Sequence, residues 1–117
     1  MITTKRVSEP RESGDGTRVL VMRLWPRGVR KDHVDLWLKA LGTDLGLIRA
    51  WKGGRLGWAE LRRRYREGLK TPEARAALAE LRGLARRGTV TLLCSCPQEA
   101  RCHRGILKAV LTGKHSR

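Results

Sequence analysis

The sequence predicts an α/β fold, a small layered sandwich in which helices pack on a short and mainly parallel sheet. Two segments, 18–24 and 89–94, are strong strand candidates, and residues 19–22 of the first are apolar on both faces, which is typical of a strand buried inside a parallel sheet. The segment between them is long and has helical periodicity, and parallel strands need a long crossover of this kind. The 117 residues suffice for one core, so we expect a single domain over 1–117.

The N-terminal part is predicted to hold two strands and then a helix. Residues 1–7 are short and β-branched, which favours a strand, and the turn residues of 8–17 end it. The strand over 18–24 is expected to stop at the Pro and Gly of 26–28. Asp32 can then cap a helix. The inward side of that helix would carry Val34, Trp37, Leu38 and Leu41.

Capping residues and apolar stripes predict further helices. Asp44 can cap a short one, and 58–69 has a helical pattern. The Thr-Pro-Glu of 71–73 is a typical helix start, and the last helix is expected to begin near Cys102. The residues predicted to face inward are Leu47, Ile48, Trp51, Trp58, Leu61, Tyr65, Leu69, Ala74, Ala77, Leu78, Leu81, Leu84, Ile106, Leu107, Val110 and Leu111.

The charge of the chain favours anionic partners. A net charge of +15 attracts phosphates, nucleotides and nucleic acid, although an arginine-rich composition alone assigns no ligand. No segment has the pattern of a signal peptide or a membrane span, which predicts a cytoplasmic protein with reduced thiols. The three cysteines are therefore not expected to form a disulfide framework.

Two loops follow the two strong strands. The first holds Arg23, Trp25 and Arg27, and the second runs over 95–102. Ligands of open parallel sheets bind at the carboxyl ends of the strands, so both loops would meet at one edge if the strands are neighbours. Guanidinium groups at that edge suit phosphate or carboxylate. The spacing alone favours the alternative in which Trp25 is a core residue and the arginines are solvated, since Trp is usually in the core.

The start of the last helix is the candidate site for chemistry. A helix that begins at Cys102 offers unpaired N–H groups and the positive end of its dipole, which predicts an anion site and a lowered pKa for the Cys102 thiol. We expect Cys102 to be the nucleophile and His103 its proton partner. The residues expected to bind the anion are Arg23, Trp25, Arg27, Arg101 and Arg104.

Other interpretations of this cysteine-rich segment stay open. A phosphatase-type loop needs Cys, five residues and Arg, and Arg101 is one position short when counted from Cys96. A redox pair of Cys96 with Cys102 lacks the usual Cys-x-x-Cys spacing, and Cys94 is expected to be a buried strand residue. A zinc site could use Cys94, Cys96, Cys102 and His103, although Cys-x-Cys is tighter than the usual spacing. We assign no metal and no cofactor.

The remaining aromatic and basic residues are expected to be structural or solvated. His33 and His115 are predicted at the surface, and Trp51 and Trp58 in the core rather than in a pocket. The arginines of 62–66 predict a solvated helix face, since nucleic-acid surfaces usually interleave more aromatics with the basic residues.

Longer motifs resemble a known family. The segments GTRVLVMRLWPRG (16–28), DLWLKAL (35–41), ELRRRYREGL (60–69) and GTVTLLCSC with CHR (88–104) are together similar to the domain of unknown function 488 family, the YeaO-like proteins. The resemblance spans nearly the whole chain. It implies the fold and the position of the pocket, and it implies no particular activity, because none is established for the family.

The chain departs from the family pattern at positions that bear on function. Met22 stands where the resemblance implies Asp, and KGGR follows Trp51 where many members have an acid or a His. Cys96 stands where one branch of the family has Glu. If those acids serve catalysis, the resemblance implies that this chain lacks that chemistry or has a different one.

We therefore expect a small basic α/β protein with an anion pocket at the strand ends. The ligand would be a phosphate, a nucleotide or a nucleic-acid end, and the protein could act as a thiol-dependent enzyme. A non-enzymatic nucleic-acid-binding protein and a zinc-binding structural or interaction protein remain the alternatives. No membrane partner is expected, and the sequence does not predict an oligomeric state.

Overall fold

The sheet has the parallel arrangement that the sequence predicts. A computed structural model describes residues 1–96 and 101–113. The strands are β1 (Ile2–Arg6), β2 (Thr17–Leu20), β3 (Leu36–Trp37) and β4 (Val90–Cys94). They lie in the order β1-β4-β2-β3, and each of these pairings is parallel. The predicted pairing of the two strong strands is confirmed, and it places the carboxyl ends of β2 and β4 at the same edge.

The helices begin where their capping residues predict. They are α1 (Leu45–Lys52), α2 (Trp58–Gly68), α3 (Pro72–Arg87) and α4 (His103–Thr112). The Asp44 carboxylate accepts a hydrogen bond from the Leu47 N–H at 3.2 Å, and the Thr71 hydroxyl accepts one from the Ala74 N–H at 3.2 Å. Short turns of 3-10 helix lie at Ser13–Asp15, Lys31–His33 and Lys39–Leu41.

Each face of the sheet carries its own apolar cluster. Because successive strand residues point to opposite faces, Val19 and Leu92 face α2, α3 and α4, while Leu20 and Leu93 face the other way. The helical face is packed with Tyr65, Leu78, Leu81, Ile106 and Leu107. Val7 and the loop after β2 cover the opposite face.

The predicted helix from Asp32 is wrong. A 3-10 turn, Lys31–His33, leads instead into β3. Leu36 and Trp37 pair with Val19 and Leu20. The apolar spacing of this segment fits a helix, but the edge of β2 offers it backbone hydrogen-bond partners, and β-pairing wins.

The second strand is shorter than predicted. It ends at Leu20, and the Val21 N–H makes one further bond, to the carbonyl of Leu93 at 3.1 Å. The chain then leaves the sheet, so residues 22–24 belong to the loop at the carboxyl edge. This early exit brings Arg23 to the mouth of the site described below.

Within the described ranges, no helix is long and apolar enough to cross a membrane. His115 and the rest of the predicted basic tail after Gly113 lie outside the described residues, as do residues 97–100 of the second loop.

A buried ion pair joins the start of β2 to its surroundings. The Arg18 side chain is fully buried, and its Nη1 donates to Asp15 Oδ2 at 2.6 Å. Its Nε and Nη2 donate to the carbonyls of His33 and Glu9 at 2.7 and 2.9 Å. Lys5 Nζ lies 2.9 Å from Asp15 Oδ1. All three guanidinium nitrogens of Arg18 therefore have a hydrogen-bond partner, and the Asp15 carboxylate compensates the buried positive charge.

Because of Asp15, the fold should become less stable as the pH is lowered into the acid range. Burial alone would raise the pKa of Asp15, but hydrogen bonds from Lys5, the Glu12 N–H and Arg18 outweigh it and lower the pKa to about 2. A carboxylate whose pKa is lower in the folded than in the unfolded state stabilises the fold above its unfolded pKa. This contribution is therefore lost as the pH falls from about 4 to about 2.

Urea unfolding between pH 5 and pH 2 tests this dependence. We expect the wild type to lose about 1–2 kcal/mol through Asp15 over this range. Asp15→Asn should be less stable at pH 5 and show a flatter decline. Asp32→Asn removes an exposed carboxylate and serves as the control. An unchanged acid slope in Asp15→Asn would contradict the assignment.

Gly16 lies where β2 and β4 begin side by side. Its φ is +63°, and a Cβ at this position would lie 2.0 Å from the Thr89 carbonyl oxygen. That oxygen also accepts the Thr17 N–H at 3.0 Å, so it cannot move without loss of a sheet hydrogen bond. Any side chain here would separate the two strands.

Gly16→Ala should therefore lower the free energy of unfolding by more than about 2 kcal/mol, since strain at positive φ adds to the clash. Gly14→Ala is the matched control, because a Cβ at Gly14 meets nothing within 4 Å. Chemical denaturation of both variants measures the difference. Equal stability of the two variants would show that the close approach does not exist.

Candidate functional site

A pocket of about 190 Å³ lies at the carboxyl ends of β2 and β4. We call it the thiol pocket. One side is formed by cysteine and histidine side chains at the end of β4 and the start of α4. Apolar side chains from α1 and α2 also line the pocket, together with basic side chains. The expected meeting of the two loops at one edge is therefore found, with Arg23 contributed by the first loop and Arg101 by the second.

The sulfur atoms of Cys94, Cys96 and Cys102 converge on one side of the thiol pocket, and we call these three residues the thiol cluster. All their Sγ atoms lie within 4.8 Å of one another, and the Cys94 and Cys96 sulfurs are 3.5 Å apart. Cys94 is the last residue of β4, and Cys102 is the residue that caps α4. The thiol cluster is thus formed where the end of β4 meets the start of α4.

His103 stands behind the thiol cluster in a defined orientation. Its Nε2 is hydrogen-bonded to the backbone carbonyl of Val21. A carbonyl oxygen only accepts, so Nε2 carries the hydrogen and the neutral ring has its lone pair on Nδ1. Nδ1 lies 3.9 Å from Cys94 Sγ and 3.8 Å from Cys102 Sγ. The free lone pair therefore points at the sulfurs.

Burial keeps His103 neutral. The residue is 7% exposed, and Tyr65 packs edge-on against its ring with centroids 5.5 Å apart. Loss of hydration lowers the pKa of His103, because the charged imidazolium is disfavoured there. At neutral pH the unprotonated Nδ1 of His103 can thus accept a proton or bind a metal ion.

Arg104 holds the loop that carries Cys96. Its Nη1 donates to the carbonyl of Cys96 at 2.7 Å and to that of Cys94 at 3.4 Å. The residue is only 4% exposed, and its buried Nε has no hydrogen-bond partner among the described residues. Arg104 is therefore turned inward, and its positive charge helps to lower the pKa of the Cys96 thiol.

The thiols share hydrogen bonds unequally. Bonds donated by Cys102 and Cys94 lower the pKa of Cys96. The bond from Cys102 favours a thiolate on Cys94, but the bond to Cys96 and burial outweigh it, so the pKa of Cys94 is raised. The neighbouring sulfurs of Cys94 and Cys96, together with burial, favour the protonated form of Cys102 and raise its pKa well above its usual range. The prediction of a lowered pKa at Cys102 is wrong, because the neighbouring sulfurs outweigh the helix dipole there.

The rest of the thiol pocket combines an apolar wall with positive charge. The rings of Trp51 and Trp58 lie against each other with centroids 5.3 Å apart, tilted by 51°. Leu45, Ile48 and Leu61 extend this wall. Exposed Arg23, Lys52 and Arg101 also line the pocket. The pocket is thus suited to a ligand with an apolar part and a negative group.

Trp25 and Arg27 do not reach the thiol pocket. Trp25 packs on the opposite face of the sheet, with its ring edge-on to Trp37 at 5.4 Å and its Nε1 donating to the Val29 carbonyl at 2.9 Å. It borders a separate, more open cleft beside β3. Arg27 is exposed on the same loop and lines neither cavity. The predicted juxtaposition of Trp25 with His103 is therefore not found, because the loop crosses to the other face of the sheet after Leu24.

The arginine-rich helix α2 has the solvated face that its sequence predicts. Arg62, Arg63 and Arg64 are exposed, and Glu60 pairs with two of them, at 2.6 Å to Arg63 and 3.4 Å to Arg64. Tyr65 is buried and donates its hydroxyl to the Leu41 carbonyl at 2.6 Å. Its ring is not available to stack on a base.

Sequence reasoning missed two parts of the site. Trp51 and Trp58 line the pocket, although a core position is the more common one for Trp. Lys52 was noted only as the first residue of KGGR and was not assigned to the pocket, to which the end of α1 brings it. The KGGR loop beside Trp51, where the family pattern differs, was the available signal.

Comparison with known proteins places the chain in a family. A family profile described as the active DUF488-N3 subclade matches residues 2–115. An uncharacterised protein of Mycobacterium tuberculosis is 36% identical over 115 residues, which covers 97% of this chain and 95% of the relative. The uncharacterised protein YeaO of Escherichia coli is 34% identical over 108 residues, with 91% and 92% covered. No solved structure shows significant similarity. The resemblance noted in the sequence is confirmed, and the chain belongs to the DUF488 family.

Proposed function

We propose that the chain is a thiol-dependent enzyme that acts on a small anionic ligand, a phosphate ester or a nucleotide, bound in the thiol pocket. The observation that carries the proposal is that the thiols, the basic side chains and an apolar wall line the same cavity. The description of the matching subclade as active supports an enzyme. The proposal requires reduced thiols, and we therefore assign the protein to the cytoplasm.

Cys96 is the nucleophile in this proposal. It is half-buried and borders the pocket, whereas Cys94 and Cys102 are each 2% exposed. A ligand in the pocket reaches the Cys96 sulfur without a change in the fold. Cys102, the nucleophile expected from the sequence, is instead buried, and its sulfur lies within 4.8 Å of the Cys96 sulfur.

His103 serves as the proton acceptor behind the thiol cluster. Its Nδ1 lone pair faces Cys94 and Cys102, and the Cys94 thiol is in turn hydrogen-bonded to the Cys96 sulfur at 3.5 Å. Protons of the cluster can therefore move between sulfur and nitrogen without contact with bulk water. The bond from Nε2 to Val21 keeps the ring in this orientation.

The charge and size of the pocket indicate the ligand class. Arg23, Lys52 and Arg101 would neutralise a phosphate, and guanidinium groups bind it in a forked geometry. The volume of about 190 Å³ is below that of a typical drug-sized site and comparable with cavities that hold a single ring. A small phosphate ester or the ring of a nucleotide fits this space better than a folded nucleic acid.

The accessibility of Cys96 is tested by alkylation of the reduced, metal-free protein with iodoacetamide. Peptide mapping by mass spectrometry should find Cys96 modified first, since the other two sulfurs are shielded. In the Cys96→Ser variant the rapid phase should disappear. Modification of Cys94 or Cys102 at the same rate as Cys96 would remove Cys96 as the nucleophile.

Ligand binding is tested by protection of Cys96 with adenosine monophosphate and with inorganic phosphate. Each should slow alkylation in a saturable way. Arg23→Gln and Arg101→Gln should weaken the protection by roughly tenfold each, because each removes a hydrogen bond to a charged group. Arg62→Gln, an exposed arginine that does not line the pocket, is the control.

Absence of protection at millimolar concentrations of either anion would refute the anion pocket. A turnover assay on a panel of phosphate esters and nucleotides then compares the wild type with Cys96→Ser. Turnover that survives in this variant would exclude thiol chemistry at Cys96.

A further inference from the structure

We propose that the thiol cluster and His103 Nδ1 together form a binding site for one zinc ion. This proposal does not depend on the proposed enzymatic function. The two uses exclude each other at Cys96, since a sulfur that binds zinc does not at the same time attack a ligand as a free thiolate. The protein would therefore exist in a metal-free form with a reactive Cys96 and a zinc form in which Cys96 is masked.

The sulfur positions fit tetrahedral zinc. With a Zn–S distance of about 2.3 Å, ligand sulfurs in a tetrahedral site lie about 3.8 Å apart. The Cys94 and Cys96 sulfurs are 3.5 Å apart, and the spread of the cluster is at most 4.8 Å. Shifts of up to about 1 Å would bring the three sulfurs to tetrahedral spacing. The tight Cys-x-Cys spacing is therefore no obstacle, because β4 ends between the two residues and the chain turns.

His103 supplies the fourth donor atom. Its Nδ1 lies 3.8 and 3.9 Å from two of the sulfurs, close to the roughly 3.6 Å expected between nitrogen and sulfur ligands of one zinc ion. The other ring nitrogen is bonded to a backbone carbonyl, which is the usual support of a zinc-bound histidine. This bond already holds the tautomer that can bind metal.

Arg104 compensates the charge of the loaded site. Zinc with three thiolates and a neutral imidazole carries one negative charge in total, and each thiol that binds releases its proton. The buried guanidinium of Arg104 lies beside the cluster and already bonds the backbone carbonyls of two of its cysteines. Its Nε, which has no partner among the described residues, is a donor available to a sulfur of the loaded site.

The site stands on rigid elements. Cys94 ends a strand that is paired on both sides, and Cys102 and His103 begin a helix whose Ile106 and Leu107 are in the core. Zinc binding would therefore require little rearrangement of the backbone that carries the ligands. Metal sites of this kind are expected to bind tightly, since the ligands are already together.

The test uses the full-length reduced protein freed of metal by chelation. Titration with Co²⁺ should give sulfur-to-cobalt charge-transfer absorption and the visible bands of tetrahedral coordination, with saturation at one equivalent. Zinc should displace the cobalt. Competition with a chromophoric chelator then gives the zinc affinity of each variant.

Loss of a residue that only supports a metal ligand typically lowers metal affinity by roughly 10- to 100-fold. Cys96→Ser removes a ligand itself and should lower zinc affinity by more than that. His103→Gln removes the nitrogen ligand and should also lower zinc affinity. Cys96 is half-buried, so its replacement by Ser leaves the fold intact, as circular dichroism will check. Arg62→Gln, an exposed arginine that does not line the pocket, is the control and should bind zinc like the wild type. No uptake of zinc at micromolar concentrations, or equal affinity of Cys96→Ser and wild type, would overturn the proposal.

Alkylation of Cys96 in the presence of zinc separates this proposal from the enzymatic one. Rapid alkylation that zinc abolishes supports both. Rapid alkylation that zinc leaves unchanged overturns the metal site alone. Stoichiometric zinc binding in a protein whose metal-free form does not react at Cys96 overturns the thiol nucleophile and supports the metal site.

Discussion

The hydrogen bond between His103 Nε2 and the carbonyl of Val21 is the constraint on which the site depends. It joins the start of α4 to the end of β2, across 82 positions of the chain. Without it the imidazole could turn, and neither its orientation nor its tautomer would be defined. With it, the Nδ1 lone pair faces the sulfurs of Cys94 and Cys102. Proton transfer and metal binding are two consequences of the same fixed ring.

A second backbone contact positions Arg23, another residue of the pocket lining. A Cβ at Gly42 would lie 2.3 Å from the Arg23 backbone nitrogen, so only a glycine permits the chain after β3 to pass this close to the loop after β2. Arg23 Nε donates to the Gly42 carbonyl at 2.9 Å. This bond directs the arginine along the pocket edge. The basic and sulfur-containing sides are therefore set by backbone contacts at the carboxyl ends of neighbouring strands.

Sequence patterns predicted the parts of this structure that local chemistry determines. Asp44 and Thr71 begin helices because their side chains bond the first free N–H groups, and the two strong strand candidates became paired strands. Leu36 and Trp37 were assigned to a helix because spacing does not reveal a free strand edge. Trp25 was placed in the pocket because sequence does not tell which face a loop follows. The thiol with the lowered pKa was misassigned for a related reason, since a helix start is visible in sequence and a contact between sulfurs is not.

The central claim is that His103 has its hydrogen on Nε2 and its lone pair on Nδ1. Long-range ¹H–¹⁵N correlation spectra of the reduced, metal-free protein report the state of each ring nitrogen directly. The account predicts a protonated Nε2 and an unprotonated Nδ1 for His103 at neutral pH. A protonated Nδ1 would contradict it, because the ring would then have no lone pair to offer to the thiol cluster.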